Sequence, residues 1–214
     1  MKLKQTFRWL LYGVLGFFIF LMFQIVWRYV GLDTDVGFLR IKQQYLTNQF
    51  WLVNFYIHSF TAILCLFAGF TQFSSTLRNS NLKLHRIFGR VYVYVVCLLA
   101  APSGLVLGVY ANGHLPSKVG FSLLAILWFW FTLKAVQLAK QRRLAQHQAF
   151  IIRSYALALS AITLRVWKFV LANTLEPDPL DLYQIVTWLG FVPNLLVAEW
   201  IVYRIKPKSD AFVK

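Results

Sequence analysis

Two segments carry the residue types from which a polar site inside an apolar chain can be built. The first is His85-Arg86-Ile87-Phe88-Gly89-Arg90-Val91-Tyr92, and the second is His147-Gln148-Ala149-Phe150-Ile151-Ile152-Arg153-Ser154-Tyr155. Each sets a histidine, an arginine and a tyrosine where a basic connector runs into an apolar block. Neutral imidazoles are metal ligands, and two of them at one depth suit the axial positions of a b-type haem iron. The neighbouring Arg86, Arg90 and Arg153 could pair with haem propionates through charge-assisted hydrogen bonds. The plainer alternative is that these histidines and arginines contact lipid phosphates and cap helix ends. Both readings stay open at this level.

A second polar face lies further upstream. At about 100° per residue, Asn54, His58, Ala62, Cys65, Gly69 and Gln72 fall within about 40° of one direction. Such a face serves either close helix packing, with His58 hydrogen-bonded across the interface, or a groove for a flat ligand whose metal His58 binds. Downstream, His147, Ser154, Ala158 and Arg165 share one stripe of a continuous helix, since 18 residues make about five turns. A charge as deep as Arg165 costs roughly 2.5–3.5 kcal/mol on insertion scales. It is therefore expected to face the bundle interior and an acidic group, the alternative being an arginine that snorkels to the interface. Glu199 is the only acid inside an apolar block, and pairing with Arg90 or Arg153 would ease both burial costs. Pro193 frees a carbonyl and predicts a kink, and Asn194 beside it can bond across helices. His114 sits in an Asn112-Gly113-His114-Leu115-Pro116 breaker cluster and reads as a loop residue. Cys65 and Cys97 fall inside apolar blocks and read as small buried residues.

The elements that must hold these residues are membrane helices. The chain has 214 residues, of which 59% are hydrophobic and 14% charged. Its apolar residues fall in blocks of about 20, the length that crosses a bilayer as a helix. The expected fold is an all-α membrane protein with six transmembrane helices, at about 9–29, 50–73, 91–110, 121–138, 150–171 and 183–203, in one polytopic domain over 1–214. A cleaved signal peptide would carry an apolar region of about 7–15 residues. The first block is longer and ends in Trp27-Arg28-Tyr29, so a retained anchor is expected.

The net charge of +15 invites a nucleic-acid reading, but its distribution follows the membrane instead. The alternating topology splits the 22 lysines and arginines 16 to 6. The rich side holds Lys2, Lys4, Arg8, Arg78, Lys83, Arg86, Arg90, the Lys134–Arg143 group, Arg153, Arg204 and the tail Lys206, Lys208 and Lys214. By the positive-inside rule both termini are cytoplasmic, and anionic lipid headgroups are the partners expected there. Five of the seven acids, Asp33, Asp35, Glu176, Asp178 and Asp181, fall on the opposite loops. No nucleophile elbow, phosphate-cradling glycine loop, cysteine-pair metal motif or carboxylate pair is present, which leaves hydrolase, kinase and zinc-protease readings without support.

On these residues the chain resembles an uncharacterised family of bacterial integral membrane proteins, a domain of unknown function. The matching pieces are His58, the His85-Arg86-x-x-Gly89-Arg90-x-Tyr92 block, His147 with Arg153-Ser154-Tyr155, Leu164-Arg165, and Trp188 with Pro193-Asn194. They cover about Trp51 to Trp200. That family is similar, more loosely, to the two-haem transmembrane b-type cytochromes, which carry histidine ligands on a four-helix core and move electrons between membrane faces. The resemblance implies a bacterial inner-membrane location, spans two to five as a four-helix core, and haem b as cofactor. His85 and His147 are then the first-choice iron ligands, His58 the next, with Arg86, Arg153 and Arg165 around the cofactor. The chain departs from that pattern because His85 and His147 flank their spans, and the other side offers only His58 and His114. One haem or none is therefore as open as two. The leading expectation is an electron carrier, at most one component of an oxidoreductase, whose donor and acceptor the sequence does not name. The alternative is a non-redox small transporter or lipid-interacting module with the same polar face lining a cavity.

Overall fold

The computed structural model describes residues 2–73 and 79–205. Of the basic residues that set the expected orientation, Arg78, Lys206, Lys208 and Lys214 lie outside the described residues, as do the side chains of Lys2, Lys4 and Arg8.

The described secondary structure is helical throughout. Span one is α1, Lys2–Trp27, apolar from Trp9 onward. A connector carrying a 3-10 helix, Leu39–Tyr45, leads to span two, α2, Gln49–Gln72. Span three is composite: α3, Leu82–Val95, a π turn at Val96–Ala100, and α4, Ala101–Val109. Span four is α5, His114–Lys140. Span five is a pair, α6, Leu144–Ala158, and α7, Ser160–Thr174, and span six joins α8, Pro179–Leu189, to α9, Val192–Ile205. Among the described residues five helices are long and apolar enough to cross a bilayer, and the α6–α7 pair makes a sixth if it counts as one bent span.

Local chemistry sets several of these boundaries. The Asn81 side chain accepts the Leu84 N–H and caps α3, so span three begins nine residues before the expected position 91. His85 and His147 therefore lie in the first turns of their helices and do not stand in front of them. Asp178 caps α8 just ahead of Pro179, where a missing N–H costs nothing. Pro102 stands in the first turn of α4. His114 opens α5 with φ +59°, so it is a helix-start residue and not part of a free loop.

Two expectations about the later spans change. Span five is not one straight helix, because α6 and α7 meet at a 40° bend at Leu159. Span six does break near Pro193, but the break is displaced to Gly190-Phe191. The two breaks face each other. Asn194 Nδ2 reaches the carbonyls of Ala156 (3.1 Å) and Gly190 (3.1 Å) and the Thr163 hydroxyl (3.0 Å). Thr163 in turn donates to the Gly190 carbonyl. Backbone groups released by the breaks are thus satisfied inside the bundle, as a bilayer requires.

Spans two to five form a closed ring: two packs on three, three on four, four on five, and five returns to two. Span six lies against spans four and five, and span one against span two. A hydrogen-bonded knot ties the ring's centre. Tyr92 Oη meets Ser154 Oγ at 2.8 Å and accepts from Trp128 Nε1 at 3.2 Å, while Ser154 Oγ meets Thr132 Oγ1 at 2.7 Å. Tyr155 crosses to span two and donates to the Leu66 carbonyl at 3.0 Å. Gly69 makes this crossing possible, since a Cβ there would lie 2.4 Å from Tyr155 Cδ2 and 2.9 Å from Tyr92 Cε2. The tyrosines of both His–Arg–Tyr segments therefore pin the four helices together. Large apolar side chains such as Phe17, Leu64, Leu98, Ile126, Phe169 and Leu196 point outward from all six spans, the surface that a lipid bilayer covers.

Candidate functional site

The site residues expected from sequence fall at two levels of the bundle. At the basal end, where α1 begins, lie His85 and His147. Both are half-buried. His147 Nδ1 donates to the Ala135 carbonyl of α5 at 2.9 Å, because a carbonyl can only accept. The other ring nitrogen, Nε2, then carries the lone pair, which is the tautomer a metal-ligating histidine adopts. The His85 main-chain carbonyl accepts from Gln72 Nε2 at 3.4 Å, and Gly89 leaves room for that glutamine, whose Oε1 lies 3.0 Å from where a Cβ would stand. Arg86 and Arg90 are exposed on the same helix.

Arg153 is committed elsewhere. Its Nε and Nη2 grip both carboxylate oxygens of Glu199 at 2.5 and 2.7 Å, a bidentate pair between spans five and six. The expected partner of Glu199 is thus Arg153 and not Arg90.

The face of span two, Asn54 to Gln72, does what the packing reading requires. His58 Nδ1 donates across the interface to the Ala100 carbonyl at 2.9 Å, just where the π turn ends. Cys65 is fully buried and Gly69 receives Tyr155. The same face also borders a space. His58 and Ala62 line a cavity of about 520 Å³ in the half of the bundle away from the chain's N terminus. All six spans and the 3-10 connector contribute to its wall.

This cavity brings together groups that the sequence scatters. Arg165 lines it while keeping an exposed surface, and Lys168, Lys42, Ser160 and Tyr183 line it too. The acidic partner expected for Arg165 is not there. Among the described residues the ion pairs are Asp35–Arg40 and Arg153–Glu199, and no carboxylate lines the cavity. Arg165 Nη1 donates to the Ala161 carbonyl at 2.6 Å. The bend at Leu159 also breaks the His147–Arg165 stripe: His147 turns to α5, Ser154 to Tyr92, and Arg165 to the cavity.

Lys42 is the residue that sequence reasoning missed. By sequence it is one of the six basic residues on the sparse side of the 16-to-6 split, yet it is 1% exposed. Its ammonium donates to the Tyr110 carbonyl and sits 4.7 Å from the centroid of the Tyr45 ring. Burial, and then the like charge of Lys118, push its pKa down to about 8. Tyr29, Leu39, Trp51 and Phe55 form the apolar cluster that holds the connector in place. No signal in the sequence marks this lysine, because burial comes from the folding-back of a loop.

Among the described residues no three histidine, cysteine, aspartate or glutamate side chains gather as a metal cluster. Neither curated proteins nor solved structures give a match to the chain. A family model described as predicted membrane protein (DUF2306), a domain of unknown function, matches residues 55–202, from span two to the end of span six, and the chain belongs to that family.

Proposed function

We propose that the protein is a haem b-binding electron carrier of the bacterial inner membrane, with His85 and His147 as the residues that would hold the haem iron and both termini cytoplasmic. The observation that supports this reading most directly is the contact between Tyr92 and Ser154. Each of these residues lies seven positions, or about two helical turns, beyond its histidine. Spans three and five stand diagonally across the ring and are joined there by this bond, which supports His85 and His147, each two turns before it, facing each other across the ring. The donor chemistry fits haem better than a bare ion. With no cluster of three protein ligands among the described residues, a metal here would have to bring most of its own donors.

Within that reading, His147 is held in the ligating tautomer by Ala135. Arg86 and Arg90 are the arginines left to meet propionates, since Arg153 is occupied by Glu199. Bound haem supplies a one-electron couple in the basal half of the bundle. The Tyr92–Trp128–Ser154–Thr132 knot holds spans three, four and five in register above it, Tyr155 ties in span two through the Leu66 carbonyl, and together they fill the ring's centre. His58, the next candidate, lies in the other half. On the basal surface Lys83, Arg86, Lys140, Arg142 and Arg143 face anionic lipid headgroups, each contributing roughly 1 kcal/mol.

The test is the visible spectrum of protein purified from cells supplied with a haem precursor. A Soret band with sharp reduced α and β bands is the expected result. A colourless protein that takes up no added haemin overturns the reading and leaves the non-redox alternative, a small transporter or lipid-interacting module.

A further inference from the structure

The cavity at His58 lies apart from the His85–His147 level and has a chemistry of its own. Its wall is apolar over most of its area, with Phe55, Leu124 and Leu157 among the side chains that form it. Its volume, about 520 Å³, falls in the range of small-molecule sites, about 300–1,000 Å³. Its polar groups are cationic or neutral: Lys42, Arg165, Lys168 and His58, with no carboxylate among the lining residues. The ligand must therefore be mostly apolar and must carry negative charge. We infer that this cavity binds an amphiphilic anion, one long apolar chain bearing a single carboxylate or phosphate headgroup seated against Arg165 and Lys168.

The membrane setting decides which part of such a ligand matters. An apolar chain is already in hydrocarbon before it binds, so leaving lipid for the cavity gains little from the hydrophobic effect. The preference has to come from the headgroup. A carboxylate or phosphate facing Arg165 forms charge-assisted hydrogen bonds, about twice as strong as neutral ones. It also pairs Arg165, an exposed arginine with no carboxylate partner among the described residues. The described contacts occupy one of the five guanidinium donors of Arg165, its Nη1 bond to Ala161, and leave the others for a ligand. His58 is fixed in the wall by donating its Nδ1–H to the Ala100 carbonyl.

The experiment uses the full chain in nanodiscs of zwitterionic phosphatidylcholine, titrated with oleate, oleyl phosphate, methyl oleate and inorganic phosphate. Quenching or enhancement of tryptophan emission reports occupancy, because Trp51 and Trp128 line the cavity. Oleate or oleyl phosphate should bind, methyl oleate should be at least about tenfold weaker, equivalent to about 1.4 kcal/mol, and inorganic phosphate should give no signal. Whichever anion binds tighter identifies the headgroup. Arg165→Gln should weaken that binding at least about tenfold, and Lys168→Gln, at a second exposed position, covers the case in which Arg165→Gln fails to fold. Equal binding of oleate and methyl oleate overturns the inference, as does unchanged affinity in both variants. So does a haem spectrum lost on His58→Ala, since the cavity would then hold haem. Because these readouts need no colour, a colourless protein would sink the haem reading without touching this one.

Discussion

Gly104 and His58 are in contact across spans two and three: a Cβ at position 104 would stand 2.9 Å from His58 Cε1 and 3.0 Å from Nδ1. The absent side chain is what lets the imidazole lie flat against α4 and reach the Ala100 carbonyl. Gly104→Ala should push the ring off that carbonyl. Overpacking of this kind costs about 1–3 kcal/mol. A lower unfolding temperature in detergent, with weakened oleate binding, is the expected outcome, and a haem spectrum borne by His85 and His147 should be unchanged. An unaltered unfolding temperature would mean that the ring gives way freely.

The Arg153–Glu199 pair makes a separate stability prediction. Removing one partner of a buried pair costs about 3–5 kcal/mol. The Glu199 side chain is 54% exposed and that of Arg153 18%, so solvent screens part of this. Glu199→Gln should therefore destabilise by about 1–2 kcal/mol, clearly more than Asp210→Asn, a comparison position outside the described residues. Arg153→Gln added to Glu199→Gln should cost less than the two separate losses combined. Additive losses would show that the pair is not coupled.

Lys42 makes stability depend on alkaline pH. Its folded pKa, about 8, lies below the ordinary 10.5 of the unfolded chain. Between these values the unfolded state binds more protons, so stability rises with pH across that window. Below about pH 8 the full cost of burying the ammonium is carried. The unfolding temperature of the parent should climb relative to Lys42→Met between pH 8 and 10. Parallel curves would place the ammonium in water.

The histidines separate the two levels of the bundle. His85→Ala and His147→Ala should each abolish or strongly shift the haem spectrum, while His114→Ala and His58→Ala leave it nearly intact. Loss of colour only with His58→Ala would move the haem to the cavity.

Orientation is tested by reporter fusions. A fusion at Lys214 and one inserted within Glu176–Asp181 should report opposite sides of the membrane, the first cytoplasmic. The same side for both would refute the alternating topology drawn from the 16-to-6 split of the 22 basic residues.

What the amino-acid order determined by itself was whatever depends on one stretch of chain at a time. The apolar blocks set the helices, since a bilayer forces the backbone of each block to satisfy its own hydrogen bonds. The pairing of Glu199 with a basal arginine was legible too, because a lone acid in a span has few ways to lower its burial cost, and Arg153 supplies one. The small and polar face of span two was open to close packing or a ligand groove, and the structure shows packing at Gly69 under Tyr155 beside a cavity at His58 and Ala62. Tertiary structure decided the rest. A helical wheel projects His147 and Arg165 onto one stripe only while the helix is straight, and span five bends at Leu159 where Thr163 and Asn194 bridge to Gly190. Lys42 reads as a solvated loop charge until the connector folds back over Trp51 and Phe55. The basic cavity draws on all six spans, so no local period encodes it. Its charges come together only when residues more than a hundred positions apart, Lys42 and Arg165, are packed around one space.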